Sequence, residues 1–155
     1  PGKAHAVRAL GAQAVIRRDR DNLPAAVAEA TGGAPIDVVA DLVAGPMFND
    51  LLNILRPEGR YTTAGAIAGP VVAIDLRTVY LKHLQLHGSS QGTRGAFARL
   101  VGYIERGLLR AVLGGVFKLS DFHNAQQTFM DKRFVGKLVV IPDSKWNEHG
   151  APHVR

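Results

Sequence analysis

The 155-residue sequence contains no cysteine. Disulfides and thiolate metal sites are therefore excluded, and the lack fits a cytoplasmic protein. Aromatic residues are sparse, at 6% with a single tryptophan, too few for the stacked platforms of single-strand nucleic-acid binders. No apolar run approaches the roughly 20 residues of a membrane span, so a membrane partner is not expected. What is present, 46% hydrophobic and 21% charged residues, is ordinary for a globular protein. The length suits one domain with a real core and is too short for two comfortable ones.

The formal net charge is +6 and the pI about 10.1, which raises nucleic acid or a phosphorylated ligand as a partner. The basic residues are scattered, however. Arg17, Arg18 and Arg20 form the one cluster, and Asp19 dilutes it. A small anionic ligand is expected rather than nucleic acid.

Taken in order, the chain alternates helical and strand patterns. Ala6, Val7 and Leu10 give a helical stripe closed by Gly11, and Gln13–Ile16 reads as a short strand. Beginning inside a helix, the sequence suggests further residues upstream. Asp21 and Asn22 cap a helix bearing Leu23, Val27 and Ala30, which Gly32 and Gly33 stop. Residues 36–43 read as a buried strand, apolar on both sides apart from Asp37 and Asp41. Gly45 and Pro46 open a helix with Phe48, Leu51, Leu52 and Leu55 on one face, ending at Arg56 and Pro57.

Next comes RPEGRYTTAGAIAG, a proline–glycine turn at Pro57–Gly59, strand formers at Arg60–Thr63, then only small residues around Ile67. A strand whose end is kept bare lets a ligand approach the backbone; the other account is a loop that merely turns a corner. Asp75 caps a short helix, Leu84–Gly88 is a strand, and Ser89–Thr93 is a polar loop of small residues. Phe97, Leu100, Val101 and Ile104 mark an amphipathic helix closed by Gly107. A strand over Gly115–Leu119, a helix capped by Ser120 and Asp121, and a strand over Lys137–Pro142 complete the ordered pattern. The polar tail from Asp143 is expected to be loosely ordered.

This alternation predicts a parallel, doubly wound α/β sheet. Three strands end in loops of one kind: Val43–Gly45, Ala64–Ala66 and Ser89–Gly92. At one sheet edge they would form a trough in which an extended ligand meets backbone groups.

With these pieces assembled, the chain resembles the C-terminal half of a medium-chain dehydrogenase/reductase of the zinc-type alcohol dehydrogenase-like or quinone oxidoreductase-like branch. The resemblance rests on GKAHAVRALGAQAVI, DVVADLVAGP, LLNILRPEGRYTTAGAIAGP, IDLRTVYLKHLQLHGSSQGT and FVGKLVVIP, in the family's order from Gly2 to Pro142. It implies a partial Rossmann-type doubly wound parallel sheet lacking its first two strands over residues 1–110. A C-terminal segment of the catalytic domain over 111–142 and a polar tail over 143–155 would follow. It further implies NAD(P)H as cofactor and hydride transfer to or from a carbonyl or an activated double bond.

On that resemblance Leu42 and Val43 would lie along the cofactor. Gly65, Ala66 and Ile67 would lie near the nicotinamide ribose, and Ser89, Ser90 and Gln91 beside the nicotinamide. Lys3 and Arg18 match positions near the 2′-phosphate, favouring NADPH with NADH possible; Lys3 also reads as an exposed helix-start lysine. Lys137 is a further candidate near the nicotinamide, or a plain strand-edge lysine. The glycine-rich phosphate turn, the substrate domain and any zinc ligands would lie upstream, and no catalytic residue is assigned here. His83 and His87 have an i, i+4 spacing but sit at a helix-to-strand transition without a third ligand. They read as structural histidines, as do His123, His149 and His153, and no zinc site is expected in this chain.

The usual strand order 3-2-1-4-5-6 would leave Gln13–Ile16 without its neighbours. It would pair directly with the strand at 36–42, or strands would come from another polypeptide, or further residues lie upstream. The expected function is the cofactor-binding half of an NAD(P)H-dependent oxidoreductase, silent by itself, acting on a small-molecule substrate as a homodimer or with its N-terminal half. A non-catalytic module kept for dimerisation is the alternative. A methyltransferase-like nucleotide-binding enzyme is a third reading, which RPEGRYTTAGAIAG fits less well.

Overall fold

The computed structural model describes residues 2–17 and 22–149. They fall into two compact units, one within residues 14–97 and one combining the described residues before 14 with those from 98 on.

In the first unit, Asn22 caps helix α2 (Leu23–Thr31): its side-chain oxygen accepts the Ala25 N–H at 3.1 Å, and Gly32 ends the helix in the left-handed conformation. Strand β1 (Ile36–Asp41) follows, then a single 3-10 turn at Gly45–Met47 leading into α3 (Phe48–Asn53). Strand β2 (Leu55–Thr63), helix α4 (Leu76–Leu81) and strand β3 (Gln85–Gly88) complete a three-stranded parallel sheet in the order β1-β2-β3. Asp75 caps α4 by accepting the Arg77 N–H at 2.9 Å. Val39, Phe48, Leu52, Leu55, Tyr61 and Leu84 form the core of this unit, with Leu52 and Leu55 almost wholly enclosed.

Three expectations change here. Gln13–Ile16 forms no strand, and among the described residues β1 pairs with β2 alone. Direct pairing of residues 13–16 with residues 36–42 is thereby excluded: an apolar run becomes a strand only where a neighbour offers a ladder. The helix stripe stops short of Leu55, which instead opens β2. The proline–glycine turn lies inside that strand as a bulge: Ile36 pairs with Leu55, yet Val38 pairs with Arg60. Pro57 has no N–H for the ladder, and Glu58 turns out with φ 62, its N–H donating to the Lys82 carbonyl at 2.7 Å. The bulge thus keeps its backbone bonded without a hairpin.

The second unit holds α1 (Gly2–Ala9), most of α5 (Arg94–Glu105) and a two-stranded parallel sheet of β4 (Leu113–Lys118) and β5 (Lys137–Ile141), against which α6 (Phe122–Asp131) packs. The segment after β5 is more ordered than its polarity suggests. It makes a 3-10 turn over Asp143–Lys145 and a short helix α7 (Trp146–His149). Asp143 accepts both the backbone N–H and the hydroxyl of Ser120, and the Lys118 ammonium lies 5.3 Å from the centre of the Trp146 ring. No described helix is long and apolar enough to cross a membrane.

Candidate cofactor site

The site begins with an aspartate at the end of an apolar strand. Asp41 is 5% exposed, so its carboxylate needs partners, and it has three. One oxygen accepts the N–H groups of Val43 and Ala44 at 2.8 and 2.9 Å. The other accepts the Tyr61 hydroxyl at 2.6 Å. The aspartate thereby ends β1, since the two amides that would continue the strand turn back onto its side chain. Burial pushes the Asp41 pKa up, but the Tyr61 and backbone hydrogen bonds outweigh it and hold the carboxyl below its usual range. Burial, with the bond and the charge of Asp41, pushes the Tyr61 phenol up to about 12. The Tyr61 ring is fixed by edge-on packing against Phe48, with centroids 5.2 Å apart.

The loop after β2 hangs on the loop after β1. Ala64 donates to the Asp41 carbonyl at 3.0 Å and Ala68 to the Val43 carbonyl at 2.9 Å. Gly65 lies so close that an added Cβ would stand 2.7 Å from the Leu42 carbonyl oxygen, so no larger residue fits without moving the backbone. Ala44 adopts φ 55, a strained conformation for a residue with a Cβ, of order 1–3 kcal/mol, and its N–H is one of the two that Asp41 holds. The loop after β3 joins through the Ser89 N–H, which donates to the Thr63 carbonyl at 2.8 Å.

Between the second and third loops lies an open trough of about 400 Å³, lined by Thr63–Ala66 and Gly88–Ser90. At Gly88, which lines the trough, a Cβ would meet nothing within 4 Å. The Ala66 and Ser90 amides have no partner among the described residues. These are groups an extended polar ligand can use, and the absence of side chains lets it reach them. The trough has hydroxyls but no carboxylate, imidazole or amine among its lining residues. It can hold a ligand; it offers no strong acid or base.

Of the residues singled out from sequence, Gly65, Ala66, Ser89 and Ser90 share the trough, and Gln91 follows it in an exposed turn. Ile67 is 89% exposed. Leu42 and Val43 line a separate recess of about 280 Å³ with Asp41, Ala44, Met47 and Leu51. Lys3 lies exposed on α1 and Lys137 exposed at the start of β5, both in the other unit. Arg18 falls outside the described residues. His83 takes φ 51 in the turn after α4, and His87 pairs with Thr62 in the sheet. Sequence reading passed over Asp41 and Tyr61 as site residues; the available signal was a carboxylate inside an apolar strand, with a tyrosine on the next strand.

Comparison with known proteins bears on this arrangement. A family model described as zinc-binding dehydrogenase matches residues 10–140. A solved structure from Sinorhizobium meliloti 1021, assigned as an alcohol dehydrogenase, is 67% identical and superposes with a TM-score of 0.85 over 92% of this chain and 40% of its own. A solved NAD-dependent alcohol dehydrogenase is 25% identical, with a TM-score of 0.77 over 90% of this chain and 40% of its own. The quinone oxidoreductase of Pseudomonas aeruginosa is 29% identical over 156 aligned residues, covering 92% of this chain and 46% of the enzyme. The chain thus spans less than half the length of these relatives. It belongs to the zinc-binding dehydrogenase family, among the medium-chain dehydrogenase/reductases, and corresponds to their C-terminal half.

Proposed function

We propose that this chain, as a member of the zinc-binding dehydrogenase family, supplies one wall of the NAD(P)H cleft of an oxidoreductase. The reaction would transfer hydride to or from a carbonyl or an activated double bond of a small-molecule substrate. The observation that carries the reading is the trough at the carboxyl ends of β2 and β3, where open α/β sheets bind ligands. It is bare of large side chains and offers serine hydroxyls and two amides without a partner among the described residues. These residues fit an extended dinucleotide better than a compact metabolite.

A nicotinamide cofactor, when bound, would supply the hydride. The chain's own work is to bind and orient: Gly65, Ala66 and Ile67 on the ribose side, Ser89, Ser90 and Gln91 beside the ring, Leu42 and Val43 along the dinucleotide. Lys3 and Arg18 are carried over from the family resemblance as contacts of the 2′-phosphate, which makes NADPH the preferred cofactor, and Lys137 as a contact near the nicotinamide. With no acid or base lining the trough, the chain by itself is proposed to bind cofactor without turning over substrate. Activity would require a partner surface, from a second copy or from the family's N-terminal half, in the cytoplasm.

A second reading, a non-catalytic dimerisation module, is favoured by one observation: among the described residues β3 is one edge of the sheet, and all four of its residues are exposed. Thermal denaturation with NADPH, NADH or S-adenosylmethionine separates the readings. Cofactor binding to the native state raises the midpoint, so the cofactor reading expects the largest rise with NADPH. No response to any of the three leaves the dimerisation module, and a response to S-adenosylmethionine alone overturns both.

A further inference from the structure

We infer that Tyr61 and Asp41 form a latch that positions the cofactor-facing loops, Asp41 holding the loop after β1 and, through it, the loop after β2. The latch rests on the cofactor reading for its purpose but stands on its own geometry. It starts in the core, where the Tyr61 ring is locked against Phe48. The phenol donates to one oxygen of the buried Asp41 carboxylate, and the other oxygen gathers the Val43 and Ala44 amides. The backbone so held then accepts from Ala64 and Ala68 on either side of Gly65 and Ile67. The connection is continuous: core ring, buried carboxylate, first loop, second loop, trough wall.

The Tyr61 hydroxyl is the one donor to its carboxylate oxygen among the described residues, which makes the latch sensitive to a single atom. Without the phenol O–H, one oxygen of a buried carboxylate faces no donor among the described residues, a costly arrangement. The carboxylate then shifts toward solvent, and the positive-φ Ala44 backbone loses the bond that holds it. Neither Tyr61 nor Asp41 lines the trough, and Asp41 reaches only the separate recess beside Leu42 and Val43. Both are therefore positioning residues, acting on the cofactor through the loops.

The test compares Tyr61→Phe, which keeps the ring and removes only the hydroxyl, with Val79→Ala, a control trimming a partly buried residue packed on the same core. Residue-resolved amide exchange is followed at Val43, Ala44, Ala64 and Ala68 and at strand amides of β2. Hydrogen bonds to buried charge are among the stronger ones, so Tyr61→Phe is expected to speed the four loop amides by about tenfold more than the strand amides. Val79→Ala is expected to speed both sets by one common factor. NADPH titration of the same proteins is expected to show about tenfold weaker binding for Tyr61→Phe and near wild-type binding for Val79→Ala. A common exchange factor in Tyr61→Phe overturns the latch, as does selective loosening of the loops with NADPH affinity unchanged. If wild type does not bind NADPH at all, the cofactor reading fails separately, and the exchange comparison alone decides whether the latch exists.

Discussion

The two units solve the same packing problem to different depths. In Ala14–Phe97 a parallel three-stranded sheet, α3 and α4 enclose six apolar side chains and a fully bonded carboxylate. In the other unit a parallel pair of strands and α6 bury one described residue, Ala125, and leave Phe122 and Phe129 half-open and Val139 39% exposed. Two strands with one helix offer too little area to close a core. The difference shows why an open trough can be built in the first unit. Loops stripped of side chains contribute no packing of their own, so they need a closed core beneath them and hydrogen bonds to hold their shape.

That contrast breaks first at Leu52, which is fully enclosed. Leu52→Ala is expected to destabilise Ala14–Phe97 by about 2–5 kcal/mol, whereas Val116→Ala on the half-buried β4 costs about 1 kcal/mol. Amide exchange resolved by unit reads both, and equal effects would show the two cores to be equally deep.

The pH dependence sharpens it next. Tyr61 is raised from 10.0 to about 12 in the fold, so its contribution is complete below pH 10 and is lost as pH rises from there toward 12. Asp41 is lowered, so its contribution is present above its ordinary value of 3.8 and is lost as pH falls through the lower folded value. Alkaline titration of wild type against Tyr61→Phe is expected to show the steeper loss in wild type, confined to the amides of Ala14–Phe97. A loss spread evenly over both units would count against the buried pair.

The smallest effect belongs to the surface. Arg56 reaches Asp37 at 2.6 Å, yet both side chains are well exposed, and Arg56→Ala is expected to cost at most about 1 kcal/mol in a denaturant series, less at high salt.

Much of this was legible in the sequence because it is local. Asn22, Asp75 and the glycines after helices announce their caps, and the shrinkage of side chains from Ala64 to Ala68 announces a bare strand end. Other features depend on what lies across the sheet. Gln13–Ile16 has strand-like composition and no strand beside it among the described residues. Pro57–Gly59 has the composition of a turn, but the register of β1 converts it to a bulge. The Asp41–Tyr61 bond joins positions 20 apart, and no periodicity in either strand marks it. The polar segment after β5 reads as tail until Ser120 is seen to bind Asp143.

The central claim is that the trough between the β2 and β3 loops holds the nicotinamide cofactor, and Gly88 tests it most directly. Gly88 lines the trough and a Cβ there would meet no atom within 4 Å, so Gly88→Val is expected to add bulk at the trough wall without a clash at its Cβ. NADPH titration by calorimetry on both proteins is the decisive measurement. The account predicts binding by wild type and at least about tenfold weaker binding by Gly88→Val at an unchanged melting temperature. Equal affinities in the two proteins would contradict it.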